Sequence, residues 1–149
     1  MSLMMDRDAL NAFLHTEFTQ IAPDFVVDSV TEDLLIARLR VGHAHLRPGG
    51  TISGPSMFAL ADLAIYTAIL SKIGPVMLAV TTNASIDFLR KPAAGVDLLA
   101  QCRLLKLGKV LAVGDALIFS EGGDHPVARC SLTYSIPPNS TGKPAVAER

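Results

Sequence analysis

Asp62 is the single charged residue in the apolar stretch from Met57 to Leu70. A carboxylate in such surroundings is costly to bury without a partner, so it accepts hydrogen bonds or takes up a proton. Two interpretations follow from this position. Asp62 is either a structural residue bonded to a neighbouring loop or strand, or a catalytic carboxylate in a water-poor site that faces a helix N-terminus.

Other polar residues nearby give weaker signals of chemistry. His43 and His45 are two residues apart and could face one metal ion in an extended segment, but the sequence places no third ligand. The favoured interpretation of both histidines is a solvated loop. Ser53 and Ser56 could form a triad with a histidine and Asp62, but the strand–turn–helix motif Gly-x-Ser-x-Gly is absent.

The stretch around Asp62 has the start and stop signals of one helix. Ser53 can cap the free N–H groups of the first turn, and Pro55 suits that turn because its φ is already helical. Gly74-Pro75 ends the helix after Lys72. Since the residues between are apolar on all sides, we expect other structure to enclose this helix.

The remaining elements follow from hydrophobic periodicity and turn residues. Residues 5–19 predict a short amphipathic helix, with Leu10, Phe13, Leu14 and Phe18 on one face. Residues 79–88 predict a half-buried strand, in which Val80, Thr82, Ala84, Ile86 and Phe88 alternate with Thr81, Asn83, Ser85 and Asp87. Further strands are predicted at residues 25–30 and 34–41 and, roughly, at 96–106, 109–120 and 126–136.

This order of elements predicts the fold class. Tight hairpins at Gly108-Lys109 and Gly122-Gly123-Asp124 join consecutive strands, which makes the sheet antiparallel. One antiparallel sheet that wraps a long apolar helix is an α+β fold. We expect a single domain over residues 5–136, followed by a polar, Pro-rich and disordered tail over 137–149.

Composition narrows the possible partners and locations. Half of the 149 residues are hydrophobic and the formal net charge is −1, so neither a nucleic-acid-binding surface nor an acidic tail is expected. The mean hydropathy of +0.39 raises the question of a membrane span, but the best candidate is shorter than ~20 residues and contains Asp62. With two separate cysteines and no secretory signal at the N-terminus, the expectation is a cytoplasmic protein without a membrane anchor.

From about residue 24 to residue 136, the sequence resembles the hotdog-fold acyl-CoA thioesterases, most closely the phenylacetate-degradation type. The resemblance rests on these residues: Gly50, Ser53-Gly54, Leu60-Ala61-Asp62, the strand TTNASIDFLRKP that ends at Pro92, Gly95, Gly108 and Val127-Ala128. It implies a curved sheet around the central helix and two protomers whose sheets pair edge to edge, with the active site at their interface.

The resemblance also implies roles for individual residues. The backbone N–H of Gly54 would polarise the thioester carbonyl at the positive end of the helix. The partner's Asp62 would act as general base on water or as nucleophile, and the Thr81 hydroxyl would assist the attacking water. Thr82 and Asn83 are neighbours that could replace Thr81 if the register of the strand differs.

Two positions depart from the pattern of this family. Many members have His-Gly-Gly where this chain has Ser53-Gly54-Pro55, and an Asn where it has Arg47. Ser53 retains a hydroxyl and Arg47 is a strong donor, so both are candidate substrate-binding residues. Arg90 and Lys91 could contact the phosphates of coenzyme A, or they could be solvated residues beside an apolar strand.

The resemblance therefore implies an acyl-CoA thioesterase that releases coenzyme A from a medium-chain or aryl-acyl thioester, with no metal or cofactor. We expect a homodimer, or a homotetramer of two dimers. One alternative is a non-catalytic hotdog protein that binds acyl-CoA, if Arg47 and Ser53 have disabled the site. Another is a hotdog hydratase or dehydratase, which would need a histidine close to the carboxylate.

Overall fold

A computed structural model describes residues 2–138 of the chain. Its elements are α1 (Arg7–Glu17), β1 (Phe25–Val30), β2 (Leu35–Leu39), a 3-10 turn (His43–His45), α2 (Gly54–Ile73), β3 (Val80–Phe88), β4 (Leu98–Leu107), β5 (Leu111–Ser120) and β6 (Ala128–Ser135). The six strands form one antiparallel sheet in the order β1-β2-β4-β5-β6-β3. The predicted α+β class is confirmed, while most of the predicted disordered tail lies outside the described residues.

Helix α2 is the core of the protein, because it packs against all six strands. The Ser53 side chain accepts a hydrogen bond from the Ser56 N–H at its start, and Gly74 ends it with a φ of 87°. Every residue from Leu60 to Ser71 is buried except Asp62. The helix is long and apolar enough to cross a membrane, but 67% of its most apolar 18-residue segment is buried inside the protein, as in a core helix.

Helix α1 lies over the edge of the sheet formed by β1. Its Leu10 and Leu14 are fully enclosed, as the predicted amphipathic face requires. Asn11 fixes the helix to the strand, since its amide donates to the Val27 carbonyl at 2.9 Å and accepts from the Val27 N–H at 2.8 Å. Residues 18–24 then turn back over α2 through successive backbone hydrogen bonds.

Strand β3 lies at the other edge of the sheet, and here the predicted burial pattern is wrong. The strand is almost wholly exposed, with Val80 at 55% and Phe88 at 53%. Thr81 pairs with Tyr134 and Asn83 pairs with Thr133, so Thr82 is the extra residue of a β-bulge. The bulge puts Thr81 on the same face as Ala84, contrary to the simple alternation, because directly paired residues share a face of the sheet.

Candidate active site

The Asp62 carboxylate is held by two hydroxyl groups from adjacent strands. Thr81 Oγ1 on β3 and the Tyr134 hydroxyl on β6 both donate to Asp62 Oδ1, each at 2.6 Å. The Tyr134 hydroxyl also lies 3.1 Å from the Asp62 backbone oxygen. Within residues 2–138, no donor is bound to the other carboxylate oxygen, Oδ2. One oxygen of Asp62 is therefore fixed, while the other has room for a water molecule or a substrate atom.

The sequence analysis missed Tyr134. It is the last of four alternating buried residues on β6, after Ala128, Cys130 and Leu132, so it faces α2. A buried tyrosine requires a partner for its hydroxyl, and Asp62 is the charged residue in the apolar part of that helix. These two facts together are the signal that could have indicated Tyr134. Burial, and then the negative charge of Asp62, raise the pKa of Tyr134 well above its ordinary value. The phenol therefore stays protonated and donates at neutral pH.

A cleft of about 450 Å³ opens beside this carboxylate. Its lining is mostly apolar and aromatic, and consists of Phe18, Ile21, Phe25, Ala59, Asp62, Leu63, Tyr66, Met77, Ala79, Val80, Thr81 and Tyr134. A larger cleft of about 510 Å³ lies around Ser71 and Lys72 and shares no residue with the first. We place the candidate site at the smaller cleft, since its carboxylate, Asp62, is partly buried, whereas Glu32 and Asp33 at the larger cleft are exposed.

The start of α2 presents free backbone donors, as the first turn of every helix does. Ser53 Oγ accepts from the Ser56 N–H at 3.2 Å and lies 2.8 Å from Ser56 Oγ, so its hydroxyl takes part in capping. A Cβ added at Gly54 would lie 3.1 Å from the Phe88 ring, at the far end of β3. Gly54 therefore lies next to an aromatic ring on the exposed edge strand.

The loop before α2 differs from the prediction at His45. His43 is exposed as predicted, but His45 is buried, at 9% exposure. Its Nδ1 accepts the Gly42 N–H at 2.8 Å, and its Nε2 lies 3.3 Å from Asp24 Oδ2. Its carbonyl accepts the Ser53 N–H at 2.8 Å. A histidine with two local partners replaces the predicted solvated one, because the loop folds back into a turn instead of remaining extended.

The other predicted site residues lie away from Asp62. Arg47 is exposed in the same loop, with no side-chain partner in the described part of the chain. Thr82 Oγ1 is within 3.3 Å of the Thr133 carbonyl, and Asn83 lies on the outer face of β3. Arg90 donates to the Pro126 carbonyl, and Lys91 is exposed beside it. The structure thus joins Thr81 to Asp62 and separates Thr82 and Asn83 from it.

The geometry of α2 decides whether one chain can complete the site. Gly54 and Asp62 are eight residues apart on the helix, about 12 Å along its axis. A carbonyl bound to the Gly54 N–H is too far from Asp62 of the same chain for attack, which requires reacting atoms roughly 3–3.5 Å apart. One chain therefore contains the parts of the site at two separate places.

No cluster of three or more histidine, cysteine or acidic residues that could hold a metal ion occurs in residues 2–138. Both cysteines are free and buried, Cys102 on β4 and Cys130 on β6. Burial, with the charge of Asp62 as a second cause, raises the pKa of Cys130 to about 11. The Cys130 thiol near the site is therefore protonated and unreactive at neutral pH.

Comparisons with known proteins agree with this fold. Residues 49–127 match the family model of the thioesterase superfamily. A "putative thioesterase" from Silicibacter sp. TM1040 has a crystal structure with a TM-score of 0.87 to this chain. The two are 57% identical, over 93% of this chain and 96% of the other.

Two further relatives are more distant. The PaaI protein of the phenylacetic acid degradation operon of E. coli has a TM-score of 0.72 and 25% identity, over 85% of this chain and 88% of the other. A "putative esterase" of Pseudomonas aeruginosa is 29% identical over 117 residues, which are 78% of this chain and 85% of that protein. The predicted hotdog fold is confirmed by these matches.

Proposed function

Since this chain belongs to the thioesterase superfamily and is a thioester hydrolase, we propose that it hydrolyses acyl-CoA thioesters to the free acid and coenzyme A. The acyl group is a medium-length chain or an aryl-acyl group. The observation that carries the proposal is the Asp62 carboxylate, fixed by two hydroxyls at 2.6 Å beside an apolar cleft. This arrangement supplies a base next to a binding surface for a hydrocarbon group.

In the proposed reaction, Asp62 removes a proton from a water molecule that lies against its free oxygen. The water oxygen attacks the thioester carbonyl carbon, the C–S bond breaks, and the thiolate of coenzyme A takes up a proton. The Thr81 oxygen is close enough to Asp62 to accept a hydrogen bond from the same water. If Asp62 is instead the nucleophile, its oxygen attacks the carbonyl carbon, the C–S bond breaks, and the thiolate of coenzyme A leaves. Water then hydrolyses the resulting anhydride and frees the acid and Asp62.

A second copy of the chain would complete this site. Gly54 contacts Phe88 near the end of β3, whereas Asp62 binds Thr81 near its start, roughly 23 Å away along the strand. If two β3 strands pair antiparallel, the Gly54 end of one copy lies beside the Asp62 end of the other. The helix N-terminus would then stabilise the oxyanion across the interface.

The exposed edge supports this pairing. Among residues 2–138, no strand pairs with the outer side of β3. Apolar surface is exposed along this edge at Met77, Leu78, Val80, Phe88 and Leu89. A long, apolar edge strand with unpaired N–H and C=O groups is a template for another strand. We therefore propose a homodimer as the active unit, with a pair of dimers as a larger assembly. Sedimentation that shows an active monomer at micromolar concentration would contradict the shared site.

The substrate-binding roles of Arg47, Ser53, Arg90 and Lys91 belong to the same proposal. Arg47 and Lys91 have unoccupied cationic groups within the described residues, which suits the phosphates of coenzyme A. The antiparallel pairing carries Arg90 and Lys91 of one copy toward Thr81 of the other. No metal or redox cofactor is needed for this hydrolysis, and its soluble substrate suits the cytoplasm.

The alternative of a non-catalytic acyl-CoA-binding protein rests on Arg47 and Ser53, which stand where the pattern of the resembled family has Asn and His, and the thioesterase matches weigh against it. A hydratase or dehydratase is third, and the cleft at Asp62 contains no histidine among the residues that the structure describes.

A panel assay separates these candidates. Native protein is mixed with acyl-CoA esters of different chain lengths and with aryl-acyl-CoA esters, and free thiol is measured. The Asp62→Asn variant, purified in the same way, controls for contaminating thioesterases. We expect thiol release by native protein that Asp62→Asn lacks, whereas binding without release from any ester would favour the binding protein.

A further inference from the structure

We propose that Phe18 and Ile21, in the turn after α1, form the end wall of the acyl site and set the longest acyl chain that it accepts. This inference rests on the proposed thioesterase function and names the residues that limit the length of the acyl group. Both side chains line the Asp62 cleft, although they are more than forty residues from Asp62 in the sequence.

A series of contacts leads from the carboxylate to this wall. The Tyr134 hydroxyl binds Asp62, and the Tyr134 ring stacks on Tyr66 with centroids 5.9 Å apart. Tyr66 in turn meets the edge of Phe18, with ring centroids at 5.5 Å. Two ring-to-ring contacts thus connect Phe18 to Tyr134, whose hydroxyl binds the Asp62 carboxylate. An acyl group with its carbonyl at Asp62 would extend along these rings toward Phe18.

The surface along this path fits an uncharged hydrocarbon group. Asp62 is the only charged side chain among the residues that line the cleft. The hydroxyls of Tyr66 and Tyr134 are occupied, by the Val76 carbonyl at 2.9 Å and by Asp62. Since the Thr81 hydroxyl also donates to Asp62, an anionic acyl tail would lose its water without gaining a donor from these side chains, which is unfavourable.

The wall is held in place by local hydrogen bonds. The Phe18 N–H donates to the Leu14 carbonyl at 2.9 Å, and the Phe18 carbonyl accepts the Ile21 and Ala22 N–H groups at 3.1 and 2.9 Å. Asn11 fixes α1 to β1 through both atoms of its amide. These bonds fix the backbone that carries both side chains, and the Phe18 ring packs on Tyr66. In the proposed site, the Phe18 and Ile21 side chains limit the chain length for this reason.

The chain also contains a matched control for Phe18. Phe13 packs on Phe18 and on Tyr66, with ring centroids at 6.0 and 6.5 Å, but it does not line the cleft. Both phenylalanines are half-buried, and truncation of either removes one ring from the same aromatic cluster. Only the loss of Phe18 lengthens the cleft.

The test measures kcat/KM for straight-chain acyl-CoA esters from four to sixteen carbons. In native protein, kcat/KM should rise by about fourfold for each methylene newly buried, until the chain meets the wall and the rise stops. Phe18→Ala should move this limit to longer chains, and Ile21→Trp should move it to shorter ones. Phe13→Ala should leave it unchanged.

If the longest accepted acyl chain is the same in native protein, Phe18→Ala and Ile21→Trp, the proposed end wall is wrong. The same follows if Phe13→Ala changes that chain length as much as Phe18→Ala does. Either result leaves the proposed hydrolase function standing. If Phe18→Ala does not fold, the shift in Ile21→Trp decides the question by itself, because it adds volume at a partly exposed position. If native protein releases thiol from no ester, the proposed function fails and the end wall fails with it.

Discussion

Replacing Asp62 with asparagine should remove hydrolysis and leave the fold in place. The asparagine oxygen can accept the hydrogen bonds that Thr81 and Tyr134 now donate to Oδ1, so both hydroxyls keep an acceptor. The second atom becomes an NH₂ group, which cannot take a proton from water or attack a carbonyl. The residue keeps its acceptor and its size, and it loses its basic and nucleophilic oxygen.

The size of each effect follows from the contacts. A hydrogen bond to a charged group contributes about 1.5–3 kcal/mol to stability, and a bond between neutral groups contributes about 0.5–1.5 kcal/mol. In Asp62→Asn both bonds change from the first kind to the second, so the free energy of unfolding falls by roughly 2 kcal/mol. For a protein of this size, that lowers Tm by roughly 4–8 °C. Loss of a general base lowers kcat by about 10²–10⁴-fold.

Asp62→Ala provides the contrast. It leaves the Thr81 and Tyr134 hydroxyls without an acceptor, each at a cost of about 1–3 kcal/mol. We therefore expect Tm to decrease in the order native, Asn, Ala, with thiol release lost in both variants. Asp124→Asn, in an exposed hairpin turn, is the control, and it should change neither Tm nor rate.

Mixing variants tests whether the site is shared. Asp62→Asn chains and Gly54→Val chains, mixed in equal amounts, give mixed dimers in which one of two sites keeps both groups. If the shared site is correct, thiol release returns to about a quarter of the native rate. The reasoning is refuted if Asp62→Asn keeps kcat within a few-fold of native protein, or if it unfolds.

Three further predictions concern neighbouring groups. Tyr134→Phe keeps the ring and removes a donor to Asp62, so we expect a folded protein whose kcat is lower by about tenfold, for a charged hydrogen bond of about 1.5 kcal/mol; an unchanged kcat would make the hydroxyl purely structural. Replacing Arg90 and Lys91 together by Ala should raise KM with little change in kcat, and salt should weaken binding of native protein; an unchanged KM would return both residues to the solvated interpretation. Burial raises the pKa of Cys130 from 9.0 to about 11, so the free energy of unfolding should fall as the pH rises through that range. Denaturant titrations measure this decrease, which should be less steep in Cys130→Ala.

The central helix and its carboxylate were predictable from local chemistry. Ser53 and Gly74 define the helix ends by capping, and an apolar pattern on all sides requires a helix inside a core. Asp62 stands out because it interrupts that pattern. The family resemblance then paired it with Thr81, and the structure brings the two within 2.6 Å.

The remaining features depend on contacts that sequence periodicity does not record. The bulge at Thr82 shifts the register of β3 by one residue, so alternation assigned Thr81 to the wrong face. Apolar alternation also indicates a face that prefers burial, and does not say whether the same chain covers it. The partners of His45 lie at Gly42 and Asp24, and only the folded loop brings them together.

The Asn11 side chain has a consequence for how large an assembly can grow. A sheet with two open edges can add strands at both ends without limit, as fibrils do. Here the Asn11 amide occupies the N–H and carbonyl of Val27 on the outer side of β1, and α1 covers that edge. Within residues 2–138, β3 is the edge that remains open, and the proposed pairing with a second β3 would use up the open edge of both copies. Continuous polymerisation through this sheet would then stop at two chains.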